Sequence, residues 1–245
     1  MNGTLALALA LAEVRRLGRN KRYSIFSVAL PVVLYLVVAP QARHISAYGV
    51  GYAAYYMIAM ASIGAFSGAL TGNAQRISQE RKDGWVRQLR LTSLPANAYV
   101  LAKVIASMVT TVPSVVIVLA LGRFYGGVHL ATWKWLAIAG IIWLGALTFA
   151  ALAVAIGYRF APDTVQPVAM LVYFAMSILG GLWFALAGWM QKIGQALPTY
   201  QITRIGTGLI SGGTVSMTSI GIILGWLAAF TMLAVLAVRS TAETL

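Results

Sequence analysis

The sequence predicts an all-α integral membrane protein, and composition, hydropathy and the spacing of the apolar runs carry this prediction. Of the 245 residues, 60% are hydrophobic and only 9% are charged, whereas about 25% of residues are charged in soluble domains. Mean hydropathy is +0.82. The apolar residues fall into runs near the roughly 20 residues that a helix needs to cross the hydrocarbon core. We therefore expect six transmembrane helices.

The amino-terminal segment 1–22 is predicted to lie on the membrane surface. Its apolar run 4–12 is too short to span, and Glu13 follows it directly. Arginine and lysine residues come after this run, whereas a signal peptide carries its positive charge before the apolar stretch. The segment is therefore expected to form an interfacial amphipathic helix with its basic side chains at the headgroups.

The remaining residues, 23–245, are expected to form one six-span domain. The spans are predicted at about 23–39, 51–73, 100–121, 135–156, 164–186 and 216–238. Pro31 lies inside the first span, where its ring predicts a kink. Gly64, Gly68 and Gly72 share one face of the second span, and small residues at this spacing let another helix approach closely. The alternative is that glycine is simply frequent in membrane helices.

The segment 189–213 is expected to form two short re-entrant helices between spans five and six. Pro198 and several glycines interrupt it too often for a span, yet it is too apolar to lie freely in water. Dipping into the outer leaflet and returning resolves this conflict, provided that protein covers the turn. A flexible loop resting on the membrane surface is the alternative.

The stretch 76–95 is the one long polar segment between two strongly apolar ones, so it is expected to stand in water at a membrane surface. On a helix, Asp83 and Arg87 would pair at a spacing of four residues. Gly84 is expected to mark a bend between two short helices, because glycine weakens a helix interior. Pro95 is expected to end the unit, because the residue before a proline avoids the α region.

Three apolar side chains of this stretch, Trp85, Val86 and Leu89, would share one face of a helix. An apolar face on a solvated loop needs a cover. Lipid headgroups could supply it, as they do for many basic loops, and a protein partner is the other solution. A short motif in the same stretch favours the protein partner.

The pattern Glu80-Arg81-x-x-Gly84, which follows the second span, resembles the first cytosolic loop of ABC-2 type ABC-transporter permeases. In that family the loop is a short coupling helix that docks on a separate ATPase subunit. The sequence departs from the family at Trp85, where a small polar residue is usual, and at Gln88, where an acid is common. The residues that the resemblance assigns to ATPase contact are Glu80, Arg81, Asp83, Gly84, Trp85, Val86 and Leu89.

A second match lies in the segment 189–213, where the family has half-helices with a Leu-Pro pair like Leu197-Pro198 and an arginine like Arg204. The resemblance then covers the whole chain. It implies two copies of an ATP-binding subunit, which would hold ATP and magnesium. It also implies a second permease copy, either as a homodimer or as a paired heterodimer, with the substrate passing between the two copies.

The resemblance places the substrate path along spans one, two and five. Candidate lining residues are Phe26, Tyr35, Tyr55, Tyr56, Phe66, Tyr173 and Phe174. The alternative is that most of these side chains face lipid or the protein core. Because no acidic residue lies in the middle of a predicted span, we expect a hydrophobic or amphipathic cargo, such as a drug, antibiotic or lipid, to be exported. A polysaccharide or glycolipid exporter is the main alternative.

Several functions are disfavoured by what the sequence lacks. It contains no G-x-x-x-x-G-K-[ST] motif, so the chain is not expected to bind ATP or to be an enzyme. It has no cysteine and only two widely separated histidines, so neither a metal site nor another cofactor is expected. A secondary transporter would usually need acidic residues within its spans, and this class, like a membrane-embedded enzyme, remains a less favoured alternative.

The net charge of +13 comes from basic residues that flank apolar spans, which favours contact with anionic membrane lipids over nucleic acid. Most of the 18 lysine and arginine residues fall in segments on the same side as the amino terminus. Positive charge concentrates on the cytosolic side of membrane proteins. The sequence therefore predicts a multi-pass protein of the cell membrane, with both termini and the stretch 76–95 in the cytosol.

Overall fold

The computed structural model describes residues 13, 21–42, 44–85, 88 and 96–243. The helices are α1 (Lys21–Gln41), α2 (Tyr52–Lys82), α3 (Ala96–Phe124), α4 (Thr132–Arg159), α5 (Val165–Leu179), α6 (Gly188–Gly194), α7 (Pro198–Ser211) and α8 (Met217–Glu243). Two short strands, β1 (Ser46–Ala47) and β2 (Val50–Gly51), pair antiparallel. The interfacial helix predicted at 1–22 lies outside the described residues, apart from Glu13 and the start of α1.

Within the described part of the chain, four helices are long and apolar enough to cross a membrane: α2, α3 from Tyr99 onward, α4 and α8. The apolar part of α1 described with side chains, Val28–Gln41, is shorter, and so is α5. The all-helical, multi-pass class is therefore confirmed. A six-span layout that includes α1 and α5 stays a prediction.

The fifth span was predicted at 164–186, but the helix in this region, α5, is shorter. Helix α5 has 15 residues, which at about 1.5 Å per residue reach only part of a hydrocarbon core about 30 Å thick. It ends at two successive glycines. Gly181 has φ +72, a left-handed conformation that glycine adopts at little cost. The side chain of Thr199 on α7 fills the space where Gly180 would carry a Cβ, so the chain turns away from the helix there.

The core is built around α2, which contacts α1, α3, α4, α5 and α7. In its most apolar window, 89% of the residues are buried within the chain, against 11% for α8. Alanine, glycine and serine recur along α2, and these small residues let helices pack on every side of it. Helix α8 packs on α4 and α7 and otherwise carries exposed apolar side chains, which suits a helix that faces lipid.

The glycine row of α2 is unevenly packed. A Cβ at Gly64 would overlap the side chain of Ser114 on α3 and approach the ring of Pro31 on α1. At Gly68 the nearest atom, Cγ2 of Thr111, would be at an ordinary contact distance of 3.8 Å. Gly72 is buried on the same helix. Close helix approach therefore requires glycine at position 64 and leaves room at position 68.

The helix termini lie at two opposite ends of the molecule. The Lys82 end contains the carboxyl ends of α2, α4 and α8 and the amino ends of α3 and α5. The Tyr48 end contains the β-hairpin, α6, α7 and the start of α8. Each end has its own cross-links, such as the bond from Ser78 Oγ to Phe160 O (2.7 Å) and the bond from Lys134 Nζ to Ile210 O (3.2 Å). The two helices α6 and α7 occupy the segment predicted to re-enter the membrane.

Candidate functional site

The first part of the predicted coupling stretch belongs to α2. This helix continues through Arg76 to Lys82, because its sequence contains no glycine or proline between Gly72 and Gly84. Residue Asp83 caps it, and Gly84 follows with φ +74. A short helix was expected before the bend at Gly84. The structure instead has one long helix there, which is continuous with the second predicted span. Both charged residues of the motif, Glu80 and Arg81, lie in the last turns of that helix.

The Glu80 carboxylate points into the protein's own core. The residue is 5% exposed, and its two oxygens accept hydrogen bonds from Lys103 Nζ (2.7 Å) and Tyr99 OH (2.6 Å). Both donors lie in the first turns of α3. The prediction that Glu80 itself contacts an ATPase therefore meets a structural obstacle, since its side chain is not on the surface that a partner would touch.

A second carboxylate completes this group of charges. Lys103 Nζ lies 2.8 Å from Glu13 Oε1, and Lys103 is only 1% exposed. We call Glu13, Glu80, Tyr99 and Lys103 the ionic cluster. Buried charges are tolerated only when they are paired and hydrogen-bonded, because desolvation is otherwise very costly. The cluster therefore fixes Glu13, α2 and α3 to one another at the Lys82 end.

Arg81 links α2 to a third neighbour. Its guanidinium donates a hydrogen bond to Gly157 O (3.0 Å), and its Cζ lies 5.4 Å from the centre of the Tyr158 ring. Both partners are in the last turn of α4. The two charged residues of the motif thus hold the carboxyl end of α2 from two sides, and their first role in this structure is internal.

From Lys82, the last residue of α2, onward, the described side chains before α3 are exposed. Lys82, Asp83 and Gln88 are exposed, and Trp85 is 42% exposed. Asp83 Oδ1 accepts a hydrogen bond from Gln79 Nε2 (2.9 Å). Its predicted partner Arg87 lies outside the described residues, as do Val86, Leu89 and Pro95. We call Lys82, Asp83, Trp85 and Gln88 the exposed turn.

The aromatic candidates for a substrate path lie mostly in the core of the single chain. Tyr35, Tyr55, Tyr56, Phe66 and Tyr173 are buried, whereas Phe174 is partly exposed. Phe66 stacks on Phe149 of α4 with ring centres 4.5 Å apart. Tyr55 OH donates to Gly181 O (2.6 Å), and Tyr173 OH donates to Ile63 O (3.3 Å). These contacts favour the alternative that the five buried aromatics pack the core. Residue Phe26 lies on α1, and its side chain is outside the described part.

The sequence reading did not single out Tyr99 and Lys103. Lys103 is an isolated charge near the start of an otherwise apolar run, and a charge in that setting usually has a buried partner. Tyr99 precedes it by four residues and so shares its helix face. This spacing was the available signal. The identity of the two carboxylates could not be read from it, because both lie on distant segments of the chain.

Comparison with known proteins identifies the family to which the chain belongs. The profile of the family described as "ABC-2 family transporter protein" matches residues 23–239. The chain is also 27% identical over 227 residues to the Bacillus subtilis (strain 168) protein named "Putative transport permease YvfS", covering 91% of this chain and 93% of that protein. The matched region includes nearly all of α1, all of α2 to α7 and most of α8. This chain is a member of the ABC-2 transporter family.

Proposed function

We propose that the chain is the transmembrane permease subunit of an ATP-driven exporter, energised by two copies of a separate ATP-binding subunit. Membership of the ABC-2 family supports a permease role, and the observation that carries the mechanism is the anchoring of α2. The ionic cluster and Arg81 fix the carboxyl end of this helix directly before the exposed turn. A force applied to the turn is therefore delivered to the most buried helix of the bundle.

The exposed turn is the proposed docking surface for the ATPase. Trp85 presents a large apolar side chain beside the charges of Lys82 and Asp83. Tryptophan is enriched among the residues that contribute most binding energy at protein interfaces. Glu80 and Arg81 then act as positioning residues that hold this surface in place, a role that explains their presence in the motif although Glu80 is buried.

Motion of α2 would be transmitted to the rest of the bundle by direct contact. The helix packs against α1, α3, α4, α5 and α7. A shift of its end would therefore displace neighbouring helices at both ends of the molecule. Close-packed helix interfaces move as units because they hold few voids. The glycine at position 64, pressed against Ser114, makes the α2–α3 contact one of the tightest of these interfaces.

The cargo path is proposed to lie between two permease copies, along the exposed face of α5. Exposed apolar side chains there are Met170, Leu171, Phe174 and Ile178. This face takes the place of the buried aromatics as the candidate lining. It carries no charge, which suits a hydrophobic or amphipathic cargo moving out of the cell. The proposed location is the cell membrane with both termini in the cytosol, and the distribution of basic residues supports this orientation.

Docking can be tested with two tryptophans at opposite ends of the molecule. We expect Trp85→Ala to reduce co-purification with the cognate ATP-binding subunit by about tenfold or more, since interface tryptophans often contribute about 2 kcal/mol. Trp133→Ala is the matched control, because Trp133 is 58% exposed at the Tyr48 end. Equal co-purification of both variants and the unchanged protein would refute docking at the exposed turn.

The cargo class needs a separate measurement. Inside-out vesicles containing both subunits should take up hydrophobic or amphipathic dyes in an ATP-dependent way, and Trp85→Ala should abolish this uptake. ATP-dependent transport of a glycan together with indifference to such dyes would replace the proposed cargo with a polysaccharide.

A further inference from the structure

A polar cavity of about 370 Å³ lies at the Tyr48 end, far from the ionic cluster. Helix α7 forms one wall, and α6, the β-hairpin turn and the start of α8 form the others. Side chains that matter for recognition are Arg204, Gln195, Tyr48, Thr214 and Ser216. The cavity is thus rich in hydroxyl and amide groups, with one guanidinium at its edge.

The wall at Tyr48 is held in an unusual conformation. Tyr48 has φ +51 and Gly49 has φ +77, the pair of positive values that a two-residue hairpin turn requires. Such a φ is uncommon for a bulky residue. The Tyr48 hydroxyl accepts a hydrogen bond from the Leu186 N–H (2.7 Å), and its ring meets Tyr55 and Tyr200 edge-on. Burial raises the pKa of the Tyr48 phenol, so it remains neutral. This wall is therefore fixed before any ligand arrives.

The hydroxyl of Ser219 in the lining and the amide of Gln201 behind it already have hydrogen-bond partners. Ser219 Oγ donates to Gln201 Oε1 (2.7 Å), and Gln201 Nε2 donates in turn to Gln195 O. By contrast, the side chains of Arg204, Gln195, Thr214 and Ser216 make no hydrogen bond or ion pair with the described residues. The cavity thus has a rigid backing and a front surface whose donors are available to a ligand.

The position of the acidic residues determines the sign of that ligand. All five acidic residues fall within the described residues and lie at the Lys82 end: Glu13, Glu80, Asp83, Asp163 and Glu243. The Tyr48 end carries basic residues, among them Arg123, Lys134, Lys192 and Arg204. No carboxylate of the same chain can therefore neutralise Arg204, and the field at the cavity attracts an anion.

The surroundings indicate that the anion belongs to an amphiphile. Ser216 and Ser219 line the cavity at the start of α8, and the outward side of this helix is apolar. Met217 is 80% exposed and Leu224 is 56% exposed on the same helix. A polar group in the cavity could therefore continue into an apolar chain lying along α8, without leaving either part in an unfavourable environment.

We propose that this cavity binds the phosphate-bearing, hydroxyl-containing headgroup of an anionic amphiphile. The Arg204 guanidinium contacts phosphate oxygens through two parallel N–H donors, a geometry that arginine favours. Gln195, Thr214 and Ser216 bond the remaining headgroup oxygens. The inference deepens the proposed function, on which it rests for an amphipathic cargo, by giving the polar part of that cargo a site.

The test uses the full chain in nanodiscs of phosphatidylcholine containing a small fraction of phosphatidylglycerol. Native mass spectrometry counts the phosphatidylglycerol molecules retained by the protein. We expect Arg204→Gln to lower the affinity for phosphatidylglycerol by about tenfold or more, because it removes charge-assisted hydrogen bonds. Arg204→Lys should retain part of the binding. Lys192→Gln is the matched control, because Lys192 is an exposed cation on α6 outside the cavity lining.

Equal retention of phosphatidylglycerol by Arg204→Gln and the unchanged protein would overturn the proposal. A change in the number of protein copies per particle on Arg204→Gln would also overturn it, because the cavity would then be a contact between copies. Soluble glycerol phosphate provides the second arm. Failure of glycerol phosphate to displace the lipid supports a headgroup with its acyl chains, whereas displacement at the lipid's own affinity rejects the lipid as source in favour of a free phosphate ester.

The outcome is independent of ATPase docking. Arg204→Gln should co-purify with the ATP-binding subunit as the unchanged protein does, because Arg204 lies at the opposite end from the exposed turn. Loss of lipid binding by Arg204→Gln with intact co-purification supports the headgroup site. Lipid retention unaffected by Arg204→Gln, with intact co-purification, rejects the headgroup site and leaves the permease assignment standing.

Discussion

The two ends of the molecule use charge in opposite ways. At the Lys82 end, two buried carboxylates each pair with the buried Lys103 Nζ, at 2.8 and 2.7 Å. At the Tyr48 end, Arg204 is exposed beside a polar cavity and has no carboxylate partner among the side chains that the structure describes. Paired, buried charge fixes geometry, and unpaired, exposed charge remains available for recognition. The comparison assigns anchoring to the first end and ligand contact to the second.

The largest effect on stability is expected at Lys103. Replacing Lys103 with methionine leaves two carboxylates buried without their counter-ion, and breaking a buried ion pair costs about 3–5 kcal/mol. We expect a large drop in thermal stability in detergent or in membrane expression. The triple variant Lys103→Met with Glu13→Gln and Glu80→Gln should recover most of the loss, since the ionic cluster then contains no buried charge. Wild-type stability for Lys103→Met alone would contradict the anchoring role.

Packing on α2 should give the next largest effect. Gly64→Val forces a branched side chain against Ser114, and overpacking of this kind costs about 1–3 kcal/mol. Gly68→Ala on the same face is the matched control and should be nearly neutral, because its nearest neighbour would be 3.8 Å away. Thermal unfolding of the two variants compares them directly. Similar losses for both would show that the row is packed evenly.

Arg81 should separate anchoring from docking. Arg81→Ala removes the bond to Gly157 O and the contact with the Tyr158 ring, while leaving Trp85 in place. We expect a moderate loss of stability, about 1–2 kcal/mol, because the lost hydrogen bond has a charged donor. Co-purification with the ATP-binding subunit should persist, while ATP-dependent uptake into vesicles falls. An equal fall in co-purification and uptake would mean that Arg81 lies at the interface itself.

The smallest effect on stability is expected at Arg204. Arg204→Gln removes an exposed side chain without an internal partner, and such substitutions usually change the free energy of unfolding by less than about 0.5 kcal/mol. Its thermal stability should match that of the unchanged protein, in contrast to Lys103→Met. A large loss of stability would indicate that Arg204 is a structural group, and the contrast between the two ends would disappear.

The sequence allowed the membrane class, the helical fold and the family to be predicted, because each depends on local composition or on a short motif. Long apolar runs predict helices wherever they occur, and Glu80-Arg81-x-x-Gly84 is read from neighbouring residues. The end of α2 was predicted less well. Polar residues 76–82 were expected to form a short helix separate from the second span, but helix continuity depends on the absence of breakers and on the partners that pair the charges.

Partners contributed by distant segments explain the remaining differences. Glu80 looks exposed in the sequence because Lys103 and Tyr99 lie about twenty residues away on another helix. Phe66 and Tyr55 suit either a path or a core, and only their contacts with Phe149 and Gly181 favour the core. A local pattern states what a residue can do, and long-range packing decides which of these roles it fills.

Site-specific crosslinking tests whether the exposed turn at the Lys82 end docks on an ATPase. The chain has no cysteine, so Asp83→Cys carries a photo-crosslinker at a single position. Ser211→Cys is the control, since Ser211 is exposed at the Tyr48 end. In membranes containing both subunits, we expect an adduct with the ATP-binding subunit from Asp83→Cys and none from Ser211→Cys. An adduct from Ser211→Cys alone would show that the ATP-binding subunit does not dock at the exposed turn. The absence of an adduct from either position, while the two subunits co-purify, would show the same.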